Sequence, residues 1–188
     1  MNDKPGLSRP LSPTVQRVAD NLKMVGNISF WFQLVLGVVS AVILLLAGAG
    51  AQNDVSQGIG FGLFSAACGL VALAIAIYFA FRYTVIAKQL RNPDTKNRPE
   101  KKETLRVIKI GLIVNLTGML LTIVGAEAIV GIVLDKSLKI PSSGLSTIDP
   151  SKLVSSIDLL VIQANINTIF AHFSGIVSSL FLLNRISR

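Results

Sequence analysis

Four long apolar runs constrain this chain of 188 residues more than any other feature of its sequence. They are Ile28–Gly50, Ile59–Phe81, a third from about Ile110 to Leu134, and a fourth from about Leu159 to Leu183. Each has the ~20 apolar residues that cross ~30 Å of hydrocarbon as a helix. Inside lipid the backbone must satisfy its own hydrogen bonds, and none of the runs shows the alternation of a barrel strand. The expected fold is therefore an all-α integral membrane protein with four transmembrane helices, embedded in a lipid bilayer. Hydrophobic residues make up 51% of the chain and charged residues 15%, which excludes a disordered chain despite the net charge of +8. That much apolar sequence also excludes a compact nucleic-acid-binding domain, and a single cysteine, Cys68, excludes a disulfide scaffold.

The first run is preceded by basic residues and ends in Ala49-Gly50-Ala51, as a cleaved signal would. Its 23 residues exceed the 7–15 of a signal core, so a retained first helix is expected.

The eighteen Lys and Arg residues are unevenly spread. Four precede the first run, none lies between the first two, nine lie in 82–109, three in 135–158 and two at the C-terminus. With four spans, fifteen fall on one side and three on the other, and the positive-inside rule puts both termini and the middle loop in the cytoplasm. The basic cytoplasmic loop, 82–109, contains Arg82, Lys88, Arg91, Lys101, Lys102 and Arg106 among two prolines, and is expected to be mostly hydrated and mobile. Its charge either sets topology alone or also attracts anionic headgroups or an acidic partner.

The segment 1–27 is expected to form a cytoplasmic tail, distinct from the membrane domain 28–188. In it, Ser12-Pro13 is a cap followed by proline at the first helical position. Val15, Val18, Leu22 and Val25 then recur at helical spacing, predicting a short amphipathic helix on the membrane surface, with Gly26-Asn27 turning the chain into the bilayer. Asp149-Pro150 repeats the cap-plus-proline signal and predicts that the last helix begins there.

Polar residues inside the spans bear on function. Glu127 sits seven residues from the outer end of the third run, about 10 Å deep at 1.5 Å per residue. A carboxylate at that depth is expected to face the bundle interior. The fourth run carries two polar stripes: Gln163, Asn167, Ser174 and Ser178, and Asn165, Thr168, His172, Gly175 and Ser179. One stripe can face the bundle and the other a partner, which suits a homo-oligomer or a larger membrane complex. In one reading Glu127, His172 and the polar intramembrane face of Gln163, Asn165, Asn167 and Ser174 line a cation route, with Glu127 and His172 as metal ligands; such mixed N/O donors suit iron or manganese. In the other, Glu127 and His172 make only interhelical hydrogen bonds. No phosphate loop, zinc-ligand spacing or nucleophile–base pair occurs, so neither an enzyme nor a tightly bound cofactor is expected.

Two segments, SFWFQLVLGVVSAVILL in the first span and QANINTIFAHFSGIVSSLFLLNRI in the last, resemble the corresponding ends of a four-helix membrane family of cyanobacteria and plastids, described as a domain of unknown function. Its plant members are described as a chloroplast inner-envelope translocon subunit, also called the permease in chloroplasts. The resemblance runs from Val18 to Arg188 and matches Asn165, Asn167 and His172 to the family's last-helix motif. It implies one of two roles, iron permeation or protein import, and supplies no catalytic motif. The leader MNDKPGLSRPLSPT is short for a transit peptide and contains Asp3, which favours the cyanobacterial form and a plasma or thylakoid membrane. The two expectations that follow are a permease or permease component, with iron as the transported ion, and a non-enzymatic subunit or assembly factor that binds protein partners.

Overall fold

A computed structural model describes residues 12–50, 57–92, 98–138 and 154–187. Within them the chain forms four helices: α1 Pro13–Gly50, α2 Gln57–Leu90, α3 Lys101–Leu138 and α4 Ser156–Ser187. All four are long and apolar enough to cross a membrane. Successive helices pack side by side and α4 returns to α1, so the four close into a bundle with α2 and α4 touching across the diagonal. The outer surface is apolar, with Val35, Val42, Leu45, Phe64, Ile113 and Leu120 all exposed. Such a surface is stable in lipid and unstable in water.

The helices outrun their apolar segments at one end. The 38 residues of α1 span about 57 Å, well beyond the ~30 Å of hydrocarbon. Ser12 starts the helix as expected: its hydroxyl accepts the Val15 N–H at 3.4 Å and its carbonyl the Gln16 N–H at 3.1 Å. However, α1 then passes through Gly26 and Asn27 without a turn. The expected surface helix is the first part of one continuous helix. Ala19 and Leu22 are buried, with Val15, Val18 and Val25 packed beside them, in a core completed by Tyr83, Ile86 and Leu90 of α2, Ile108 of α3, and Leu182 and Ile186 of α4. The apolar stripe that would have rested on lipid is covered by protein. A Cβ on Gly26 would meet the Tyr83 Cβ at 2.9 Å and the Ala80 carbonyl oxygen at 3.2 Å, so this glycine serves close helix approach rather than a turn.

The basic connection differs from expectation for the same reason. Residues 82–90 continue α2 and 101–109 begin α3, so that most of the basic segment is helical. At its far side the Glu103 carboxylate accepts the Glu100 N–H at 3.3 Å, capping α3. The α4 helix starts at Ser156, and the Asp149-Pro150 signal lies outside the described residues. Its cap is local: Ser155 Oγ accepts the Ile157 N–H at 3.2 Å, while Asp158 Oδ2 accepts the Ser155 N–H at 3.0 Å. Lys136 Nζ, on the last turn of α3, donates to the same Asp158 oxygen at 2.8 Å and ties the two helix ends together.

Candidate functional site

The middle of the bundle holds amides, hydroxyls and one imidazole where apolar packing would be expected. Glycines make the space. On α3, Gly111, Gly118 and Gly125 recur every seven residues and are buried, lying against the Tyr83 hydroxyl, the His172 ring and the Ser65 side chain. Gly175 of α4 lies against Gln33 and Asn115 in the same way. Close approach at small residues is the usual basis of helix association in lipid.

The network centres on Asn115, and its geometry fixes the amide. Nδ2 donates to the Gly111 carbonyl oxygen at 2.9 Å, one turn back on α3, which turns Oδ1 toward the other helices. That oxygen accepts Gln33 Nε2 of α1 at 2.9 Å and lies 3.2 Å from His172 Nδ1 of α4. Gln33 Nε2 also donates to the Ala171 carbonyl oxygen at 3.2 Å, so both of its hydrogens are used. The other imidazole nitrogen, His172 Nε2, lies 3.2 Å from the Gly69 carbonyl oxygen of α2. One cluster of side chains thus joins all four helices.

Counting donors against acceptors exposes an imbalance. Each imidazole nitrogen faces an oxygen that can only accept, whereas a neutral ring carries a single N–H. Two further acceptors, Gln33 Oε1 and Asn165 Oδ1, are buried without a hydrogen-bond partner among the described residues. Asn165 lies seven residues from His172 on the inner face of α4, about 10 Å along the axis. Its Nδ2 donates to the Val161 carbonyl oxygen at 3.1 Å. Nearer the apolar end, the hydroxyls of Ser40 and Thr168 both donate to the Ala164 carbonyl oxygen, at 3.1 and 2.9 Å. The interior is therefore rich in oxygen acceptors and short of hydrogen to share with them.

The structure decides which polar stripe of α4 faces inward. Asn165, Thr168, His172 and Ser179 are all buried. Gln163 is exposed and donates to Asn167 Oδ1 at 3.1 Å on the outside of the bundle, while Ser174 and Ser178 are half-buried. Ser174 Oγ donates back to the Ala171 carbonyl oxygen at 2.7 Å. Glu127 does not face the interior as expected. It is exposed, because it stands two residues beyond Gly125 and so about 200° around α3 from the glycine seam. His172 and Glu127 are not brought together, and no group of three or more His, Cys, Asp or Glu that could hold a metal occurs among the described residues.

The six basic residues of 82–109 named from the sequence are exposed, five of them on the helical extensions and Arg91 just past the end of α2, where it pairs with Asp20 of α1. Two central residues, Gln33 and Asn115, escape the reading of the sequence. Each is an amide in an otherwise apolar stretch of its span, which is the signal that marks them.

Residues 12–187 match the family described as "Protein of unknown function (DUF3611)". The curated protein named "Protein TIC 21, chloroplastic" of Arabidopsis thaliana is 28% identical over 191 residues, covering 98% of this chain and 62% of its own length. The chain thus spans less than two thirds of that relative. No solved structure matches. With the match extending over nearly all its residues, the chain belongs to the DUF3611 family.

Proposed function

We propose that this member of the DUF3611 family is a membrane permease or permease component for a cation, iron foremost, with the buried face of α4 as its intramembrane station. One observation carries the reading: the bundle interior presents oxygen acceptors, Gln33 Oε1 and Asn165 Oδ1, that no donor among the described residues satisfies. An unpartnered buried acceptor costs about 1–3 kcal/mol, and polar groups at membrane depth characteristically mark ion pathways. Amide oxygens and the His172 imidazole offer the mixed O/N donors that Fe²⁺ accepts. Such a set, without carboxylate or thiolate, binds weakly, as conduction requires. Iron is cargo in this reading, and no reaction chemistry or resident cofactor is involved.

The single bundle is closely packed around His172, so passage calls for a rearrangement of helices or for a homo-oligomer or larger complex. The charge bias of the loops supports a cytoplasmic location for both termini; a cyanobacterial plasma or thylakoid membrane is part of the same proposal. Purified protein in liposomes is expected to admit Fe²⁺, with His172→Ala lowering the flux. Wild-type flux equal to that of empty liposomes, with insertion verified, overturns the permease as a self-sufficient unit.

A second reading is favoured by a different observation. The hydrogen-bonded Gln163 and Asn167, with Glu127, lie on the outside of the bundle, where lipid offers them nothing. A non-enzymatic subunit of a translocon or assembly complex would cover them with protein. Extraction in mild detergent should then recover the chain in a larger complex of fixed stoichiometry, and isolated monomers alone would count against it.

A further inference from the structure

A groove between α1 and α2, at the basic end of the bundle, combines a charged rim with an aromatic floor. Its volume is about 700 Å³, within the range of small-molecule sites. Ile28, Phe30, Trp31 and Phe81 form the deeper part, at the edge of the apolar runs. Trp31 and Phe81 are 56% and 49% exposed, so the groove opens sideways toward lipid. The rim carries Lys23 and Lys88 beside the Asp20–Arg91 ion pair, three cations against one carboxylate.

The depths match a lipid molecule. Lys23 precedes Ile28 by five residues, which is about 7 Å along α1, and Lys88 follows Phe81 by seven, about 10 Å along α2. The headgroup layer extends ~5–8 Å beyond the hydrocarbon on each side. Lysine side chains reach back toward that layer along apolar surface. A phosphate held between the two ammonium groups would leave its acyl chains descending over Trp31 and Phe81.

We propose that this groove is a binding site for an anionic phospholipid, its phosphate held by Lys23 and Lys88 and its chains by the aromatic floor. The Asp20–Arg91 pair has a separate part. It bridges α1 and α2 above the groove and neutralises Asp20, which would otherwise repel the headgroup. The inference is independent of what the bundle transports.

The test uses the full chain in mild detergent, with native mass spectrometry of complexes formed with phosphatidylglycerol or with phosphatidylcholine. Wild-type protein is expected to retain phosphatidylglycerol in preference to phosphatidylcholine. The double variant Lys23→Gln/Lys88→Gln should lose that preference by roughly 25-fold, since each basic residue near the surface contributes about fivefold in anionic lipid binding. The variant Lys101→Gln/Lys102→Gln, of equal charge loss on α3, should keep it. Equal retention of the two lipids by wild type overturns the site, as does an equal loss in both double variants, which would indicate diffuse charge only. Because both pairs are exposed, unchanged helicity serves as the folding control.

Discussion

Gly118 of α3 lies against the His172 ring of α4 so closely that a methyl group on Gly118 would overlap the imidazole, and would also meet the Ala72 Cβ of α2 at 2.9 Å. The glycine and the histidine form one structural unit: the space left by one is filled by the other. Gly118→Ala is therefore expected to destabilise the bundle by about 1–3 kcal/mol, the usual cost of overpacking. Thermal unfolding in detergent measures it. Gly131→Ala is the control, since nothing lies within 4 Å of a Cβ there. Equal effects of the two substitutions would mean that the His172 contact is not as described.

Asn115 joins α1 and α4 through a single oxygen. Asn115→Ala should cost about 1–2 kcal/mol, the upper part of the range for interhelical hydrogen bonds in membranes. Gln33→Ala should cost less when Asn115 is already alanine than in the wild type, because they share a bond. A double-mutant cycle on unfolding free energy reads this coupling, and strict additivity would argue that the contact contributes nothing.

Asp158 has two tasks, capping α4 through the Ser155 N–H and pairing with Lys136. Its side chain is only 1% exposed. Asp158→Ala is expected to cost about 1–3 kcal/mol, combining a lost cap with a broken, largely buried pair. Exchanging the charges, Lys136→Asp with Asp158→Lys, should restore only part of the loss, since lysine cannot accept the Ser155 N–H. Full recovery of the unfolding midpoint by the exchange would show that the cap is unimportant.

Gly26 distinguishes a turn from a rod. If it turned the chain, Gly26→Ala would act on the backbone alone. In a continuous α1 packed against Tyr83 and Ala80, alanine improves helix propensity by about 1 kcal/mol but wedges α1 from α2. The wedge should prevail, and Gly26→Leu should be markedly worse than Gly26→Ala. A leucine as well tolerated as alanine, judged by the yield of folded protein, would place α1 and α2 farther apart.

Glu127 is exposed on α3, so Glu127→Gln should leave the unfolding midpoint of the solubilised monomer within a degree or two, in line with ordinary surface substitutions of ±0.5 kcal/mol. A drop comparable to that of Asn115→Ala would mean that this carboxylate is engaged inside the bundle after all.

The sequence alone determined the number of membrane helices, because hydrophobic length is a local property that needs no partner to be counted. It also determined the Ser12 cap and the separation of polar groups on α4 into two stripes, both consequences of helical pitch. Tertiary packing decided what those faces meet. The valines before Gly26 have the same spacing whether they lie on lipid or on protein, and only the neighbouring extensions of α2, α3 and α4 make them core. The two stripes of α4 are similar in polarity, so the choice between them depended on where Gln33, Asn115 and Gly69 stand on other helices. The cost of a charge in lipid predicts an interior Glu127, whereas its direction is set by the glycines at 111, 118 and 125. Close backbone approach admits only the smallest residues, so the seam of glycines, and not the charge, fixes which side of α3 turns inward.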